Sequence, residues 1–592
     1  MQLIKTTTLF TTLFWMAMPA FASAVTVTDV AGNPLAGVMV TQSAEAPTPI
    51  DKSDNGYPQP NKPYTVDIDV TRFTDNSGRA TFVPRAGKLH LRLRKPGYKD
   101  FETTMEGKSA IRQALQKETD ANRLADTKPA NAWLGALDLG GNADTRIHFQ
   151  MQCGFCHQQG NVFLHRERSA AEWKSAIDRM IRYGSRLPTA LQKSMPETLH
   201  AGYKKLREHP ELVGPLQNWG ADLAGIEITE WPVGDSLSQM HDMLVGKNGL
   251  VYVADNIQDR LYEVDYQRNV VSVYKIPHRR FDFSGGLIAG RLKDFPRHDS
   301  TSNAHSLAVA ADGHIFITPS AQRRLIEFDP VSKEFALHEM ADGFYPHTIR
   351  IDGRDDVWFT LALSNQVAKF DRRAKKFTLY DLPTRSFKER MTVFFIGSIF
   401  KLINLGIPLP NWLAIDDISS GTPLPYGIDI TPDGKVWFSR LHTREIGFVD
   451  PQSGQVTMIA TPFAGPRRLR SDAEGNLWIT SFGESKIARY EPKFGKFTQF
   501  DLPVLPKGSE TPYALHVDKL RRVVWVTGNQ SDSVFAFDIK KQSWKQIPLP
   551  RRTTFTRDFE ILPDGSVFTS NSNFPSWHVE GAQPTLIRIV QK

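Results

Sequence analysis

The chain holds only two cysteines among 592 residues, and they stand three apart with a histidine immediately after: Cys153-Gly154-Phe155-Cys156-His157. This is C-x-x-C-H, the attachment pattern of c-type haem. Two thiols at that spacing reach the two vinyl groups of one porphyrin, and the adjacent imidazole is then held under the iron as an axial ligand. With 16 histidines in 592 residues, chance produces the pattern on the order of once in ten thousand chains. A thioredoxin-like dithiol needs a surrounding βαβ pattern, which is missing. A zinc site needs two further ligands that the sequence does not supply.

The elements that must position this motif are helical. From about 118 to 220, AAEWKSAIDRMIRYG places Trp173, Ile177, Met180 and Ile181 at helix spacing, and ETLHAGYKKLREH continues in kind. The segment resembles the small cytochrome c domain, which implies one covalent haem c ligated by His157. The resemblance also implies a middle helix over Trp173 to Tyr183, a loop carrying a Met-Pro ligand, and a last helix around Tyr203. Leu187-Pro188 stands where the Met-Pro usually falls, so the sixth ligand is open between Met195, which precedes Pro196, and Met180. His165 is a third candidate, though it reads more readily as a solvated loop residue.

From about 221 to the end the chain repeats an apolar strand, a D-G or E-G-N turn, a V-W-F-T-like strand, a strand ending in F-D or Y-E, and a strand ending in L-P. Units begin at His241, His305, His347, Tyr426, Arg467, Tyr513 and Arg557, and the tightest intervals are 42 and 41 residues. That is the period of a four-stranded propeller blade, and seven starts predict seven blades. The last unit lacks its fourth strand, and a strand of that type, IEITEWPV (226–233), precedes the first unit. Pairing the two closes the ring and removes its open edges. The seven unit starts then face the central axis. Three histidines there suit proton transfer or metal binding, which makes His241, His305 and His347 candidate catalytic residues, and the arginines suit an anionic or carbonyl-bearing ligand.

Pro346-His347-Thr348-Ile349, Pro425-Tyr426-Gly427-Ile428, Trp358, Trp437 and Trp478 make this region similar to the virginiamycin B lyase family. The resemblance implies a seven-bladed propeller that opens a cyclic lactone by elimination, using histidine and glutamate near magnesium. The family's glutamate position reads Asp255, Pro319, Leu361, Arg440, Ser481 and Gly528 here, so the carboxylates that hold magnesium are mostly absent. A 79-residue interval between the third and fourth units contains MTVFFIGSIFKLINLGIPLPNWLA (391–414). Lys401, Asn404 and two prolines interrupt it before a span accumulates. It reads as a lid, a peripheral membrane contact, or, preferred here, a surface packed on the haem-motif segment.

Residues 25–117 alternate at period two between turns. D-x-x-G-x-P-L-x-G-V-x-V from Asp29 and A-G-x-x-x-L-R-x-x-K-P-G-Y from Ala86 resemble the carboxypeptidase regulatory-like β-sandwich, an accessory module. Residues 1–24, with one early lysine, a short apolar stretch and Ala22-Ser23-Ala24, read as a secretory signal cleaved after Ala24, hence a periplasmic protein. The net charge of +8 is spread along the chain, which argues against nucleic acid as a partner. Two cysteines exclude a disulfide scaffold, and a negative mean hydropathy excludes a polytopic membrane protein.

The expectation is a multidomain, mainly β protein: a β-sandwich, a small all-α cytochrome c domain and a seven-bladed propeller. Its expected function is electron transfer through haem to a periplasmic redox partner, coupled to a small molecule in the propeller funnel. A lactone-cleaving lyase and a non-enzymatic binding module are the alternatives.

Overall fold

The computed structural model describes residues 23–45, 61–182, 185–280, 282, 301–404, 422–571, 573 and 576–592. The expected leader through residue 22 and the 405–414 part of the apolar insertion lie outside the described residues. The last two residues assigned to that leader, Ser23 and Ala24, open a strand (Ser23–Asp29) and pair with Phe82 and Thr81.

The protein is mainly β, and its larger part is a ring of seven four-stranded antiparallel sheets. The first strands of successive sheets lie side by side, from Met240–Val245 through Ala304–Val309, Pro346–Ile351, Pro425–Ile430, Pro466–Ser471 and Leu515–Asp518 to Glu560–Ile561, which returns to Met240–Val245. Alternation along the V-W-F-T-type strands drives this arrangement. Each strand sends one set of apolar side chains to either neighbouring blade, and every blade pair shares a buried cluster. Fully burying one such side chain stabilises the fold by about 1.5–3 kcal/mol. The tryptophans also pin the preceding turns: the indole N–H of Trp358 donates to Asp352 (2.8 Å) and that of Trp478 to Asp472 (3.1 Å). Gly434 supplies the positive φ (+83°) that the D-G turn of the fourth blade needs. The last blade is completed from upstream, with Ile226–Pro232 antiparallel to Thr585–Gln591.

The N-terminal segment packs two sheets over Val25, Val27, Val38, Val40, Leu89, Leu91 and Leu93. It is not a separate bead. Asp69–Phe73 pairs with the free edge of Ile226–Pro232, so one eight-stranded sheet runs from the seventh blade into the sandwich. Met39 and Phe73 join the core shared by the sixth and seventh blades, and Tyr64–Thr65 adds to the outer strand of the first blade.

Between them lie α1 (Ala121–Asp126), α2 (Ala130–Ala136), α3 (Ala143–Cys153), α4 (Ala170–Arg182) and α5 (Thr189–Glu208). Asn142 caps α3 by accepting from the N–H groups of Asp144 and Thr145. The expected Met-Pro loop is corrected: Met195 and Pro196 lie inside α5. Proline normally ends a helix there, but a buried stripe of Met195, Leu199, Tyr203 and Leu206 carries α5 through it. Trp173 of α4 stacks on Tyr203 at 5.5 Å. His165 is buried rather than solvated, stacked on Trp133 at 4.0 Å. These helices are stitched to the propeller by the backbone bond from Asn131 N–H to Gln530 O (2.8 Å) and by Gln150 Nε2 donating to Gly508 O (2.6 Å).

The described part of the apolar insertion is α6 (Phe387–Asn404). Propeller residues hold it: buried Glu389 pairs with Arg440 of the fourth blade (3.1 Å) and with Arg385 (2.8 Å). Phe387, Phe394 and Phe395 remain exposed, so the stretch is not consumed by packing on the haem-motif segment as expected. No helix among the described residues is long and apolar enough to cross a membrane.

Candidate functional site

The seven unit starts do converge. In the first five blades the innermost strand carries a register shift at its start, as between Met240 and Met243 or between Pro466 and Leu469. Such a bulge bends the strand and re-aims side chains, here toward the axis. His241 and His305 have ring centroids 3.6 Å apart, His305 and His347 3.8 Å, and His347 and Tyr426 3.9 Å. Tyr426 and Tyr513 share a 2.6 Å hydroxyl–hydroxyl bond, and the Tyr513 hydroxyl lies 3.1 Å from His241 Nε2. Arg467 stacks on Tyr513 at 3.5 Å and donates to the Tyr426 hydroxyl at 2.7 Å. Arg557 lies 5.2 Å from the Tyr513 ring. The seven side chains fill the axis, none more than 4% exposed.

Burial and surrounding cations hold all three histidines well below the usual imidazole range, hence neutral. His241 Nδ1 faces Asp242 at 2.9 Å, which fixes the proton on Nδ1 and leaves Nε2 to accept from Tyr513. Burial alone would raise both tyrosines. For Tyr426 it prevails, whereas at Tyr513 the guanidinium groups of Arg467, Arg557 and Arg468 outweigh it and pull the phenol below its ordinary value. A directed chain results, with Tyr426 O–H donating to Tyr513, Tyr513 to His241, and His241 to Asp242. Sequence reasoning placed the tyrosines on the axis without a role, because the partner of each depends on ring closure.

Asp242 is further committed. Arg468 donates to both its oxygens (2.6 and 2.8 Å) and also pairs with Asp558 at 3.1 Å, and Ser306 adds a 2.5 Å bond. His241, Asp242 and His305 offer ligand atoms within 4.8 Å of one another. The donor set does not suit magnesium. Its one carboxylate is already neutralised by a buried guanidinium, and a second cation would be repelled there. Asp255, the acidic residue at the family's glutamate position, is buried and accepts the N–H groups of Gln239, Ile257 and Gln258.

The C-x-x-C-H turn sits against this ring. α3 ends at Cys153, and Phe155 projects from the turn to lie 4.4 Å from the Arg467 guanidinium and 6.4 Å from the Tyr426 ring. Arg557 reaches the Cys156 carbonyl at 3.5 Å. A side chain at Gly154 would meet the Gln150 carbonyl oxygen at 2.6 Å, so the turn requires glycine. Both thiols are unpaired. Burial pushes Cys153 up to about 12 and raises Cys156 as well. Burial lowers His157 below its usual value. Its Nδ1 lies 3.0 Å from the Gln158 carbonyl and 3.2 Å from Gln159 Nε2, and among the described residues its Nε2 has no hydrogen-bond partner. A ligating imidazole is arranged this way, one nitrogen donating to a carbonyl and the other held for the metal. The residues therefore suit covalent haem.

The sixth-ligand candidates part company. Met195 is fully buried among Trp133, Trp173 and Tyr203, in a cluster that Cys153 borders, whereas Met180 is half-buried on α4. His165 Nδ1 lies 2.9 Å from Gly160 O, while its Nε2 faces the Asp126 carboxylate at 3.4 Å without a hydrogen bond among the described residues. A residue the sequence did not single out, His578 of the propeller, lies beside His157, and burial lowers it to about 4.

No curated protein matches the chain. Among solved structures, selenomethionine-substituted virginiamycin B lyase from Staphylococcus aureus is 14% identical with a TM-score of 0.46, over 62% of this chain and 99% of that one. A streptogramin B lyase structure is 15% identical with a TM-score of 0.46, over 62% and 98%. YCF48 bound to a D1 peptide is 10% identical with a TM-score of 0.42, over 62% and 96%. Residues 414–574, which span the fourth to sixth blades and the start of the seventh, match the virginiamycin B lyase family.

Proposed function

We propose that this is a periplasmic c-type haem protein that transfers electrons, with Cys153 and Cys156 carrying the porphyrin by thioether bonds and His157 ligating the iron. The observation that carries the reading is the turn itself: two unpaired thiols beside an imidazole whose Nδ1 lies 3.0 Å from Gln158 O and whose Nε2 has no hydrogen-bond partner among the described residues. The bound group supplies one-electron uptake and release.

The chain's own residues add a proton-holding ring directly under that turn. The Tyr513 proton is held toward His241 Nε2, Asp242 keeps the His241 proton on Nδ1, and Arg467, Arg468 and Arg557 favour negative charge on the Tyr513 oxygen. Water is excluded because the seven axial side chains fill the mouth and Phe155 lies over them. The ring therefore serves as an internal proton relay beside the electron-transfer group, and electrons pass on to a second exported carrier. Lactone elimination is the weaker reading. It needs an accessible base and a cation on the ester oxygen, but the histidines are sealed and Asp242 and Asp255 are already bonded.

The test is expression with c-type maturation machinery. A red protein that keeps its haem on a denaturing gel and gives a pyridine haemochrome spectrum is expected, with both lost in Cys156→Ser. A colourless protein overturns the reading.

A further inference from the structure

We infer that His578, carried by the seventh blade of the propeller, is the sixth ligand of the iron held by His157. The inference rests on the haem reading of residues 153–157. His578 lies in the connection between Val567–Asn571 and Thr585–Gln591, far from the motif in sequence, yet its ring centroid is 6.2 Å from that of His157, with planes at 82°. Two imidazoles that share one metal have centroids roughly 6 Å apart, given a metal–nitrogen bond of about 2 Å on each side. The separation and near-perpendicular planes match an edge-to-face ring pair, and they match equally two imidazoles on either side of one ion.

Three further features support the assignment. His578 Nδ1 is buried and has no hydrogen-bond partner among the described residues, and an unanswered buried nitrogen is costly unless a ligand meets it. Phe163 stacks on the His578 ring at 4.4 Å and 15°, with the Arg166 guanidinium 5.3 Å from the Phe163 ring, so the loop that follows His157 also holds His578 in place. The competing candidates are otherwise placed: Met195 fills the helical core, and His165 is stacked on Trp133 with Nδ1 2.9 Å from Gly160 O and Nε2 facing the Asp126 carboxylate at 3.4 Å. Ligation from the seventh blade makes the iron a cross-link between the helical segment and the propeller.

The experiment is near-infrared magnetic circular dichroism and electron paramagnetic resonance of the oxidised, full-length, matured protein. A low-spin bis-imidazole signature is expected, unchanged in Met195→Leu. His578→Gln is expected to keep its thioether-linked haem by pyridine haemochrome but to turn high-spin and bind azide, with low spin restored by added imidazole. An imidazole–thioether signature in the parent protein, lost in Met195→Leu, overturns the assignment, and because it comes from the unmodified protein it stands even if His578→Gln does not fold. A low-spin His578→Gln unchanged from the parent overturns it as well. Absence of the haemochrome in the parent removes the haem reading itself, and the ligand assignment with it.

Discussion

Tyr513 and His241 meet across the propeller axis, hydroxyl to Nε2 at 3.1 Å, although 272 residues separate them in the chain. The contact closes a chain of four buried polar groups, shut off from bulk solvent. Tyr513→Phe keeps the ring and its arginine stacking but leaves His241 Nε2 without a donor and the Tyr426 O–H without its acceptor. The expected cost is about 1–3 kcal/mol of stability, read as a lowered midpoint in denaturant unfolding. An unchanged midpoint would show that the hydroxyl holds nothing.

Asp242 bears on both stability and metal binding. Arg468 is fully buried between Asp242 and Asp558, so Asp242→Ala strands a guanidinium beside a single carboxylate. Breaking a buried pair from one side costs about 3–5 kcal/mol, and denaturant unfolding of the variant measures it. Because Arg468 already occupies the carboxylate, calorimetric titration of the parent protein with magnesium should give no binding heat. A saturable heat lost in Asp242→Ala would reverse the account of the His241–Asp242–His305 cluster.

How far the sequence carried is clearest at the axis. His241, His305 and His347 were legible as one set because each opens the same repeated strand, and a periodic backbone returns equivalent positions to equivalent places. His578 was not legible, since it lies in a connection that does not repeat and meets His157 only through tertiary docking. The Met195-Pro196 pair misled for a local reason: proline signals a helix end, and the buried stripe from Met195 to Leu206 that overrides it shows its worth only once Trp133 and Trp173 are in place. The pairing of Asp69–Phe73 with Ile226–Pro232 was equally hidden. Both strands alternate plainly, but which edge a strand joins is set by distant partners.

Glu580 clamps the sandwich to the propeller. It pairs with Arg92 (2.7 Å) and Arg94 (3.5 Å) of one and accepts the Arg552 backbone N–H (2.9 Å) of the other. Burial would raise its carboxyl, but the arginines, Arg94 foremost, hold it down at about 2 against an ordinary 4.5. A folded value below the unfolded one means that the contribution is complete above pH 4.5 and is lost as pH falls toward 2. With its side chain about a third exposed, Glu580 should contribute about 1–2 kcal/mol after screening. Glu580→Gln should therefore lower stability at neutral pH and flatten the acid limb of a stability–pH profile below 4.5. An acid limb identical to the parent's would place the clamp elsewhere.

The eight-stranded sheet predicts what happens if the modules are parted. Ile226–Pro232 completes the seventh blade on one side and receives Asp69–Phe73 on the other. A chain begun at residue 221 keeps the ring closed, because the completing strand is retained, but bares a seven-residue edge with a row of unpaired N–H and C=O groups. It also uncovers the apolar positions that Met39 and Phe73 cover in the core of the sixth and seventh blades. An unpaired, apolar edge templates pairing between chains, so this fragment should self-associate in size-exclusion chromatography while the protein with its sandwich elutes as a smaller species. Adding lysine at Thr229, which pairs with Val70 on that edge, should reduce the association without disturbing the ring, since charge on an open edge opposes a second strand. A monodisperse 221–592 fragment would mean that the sandwich is an appendage and that the seventh blade is finished without it.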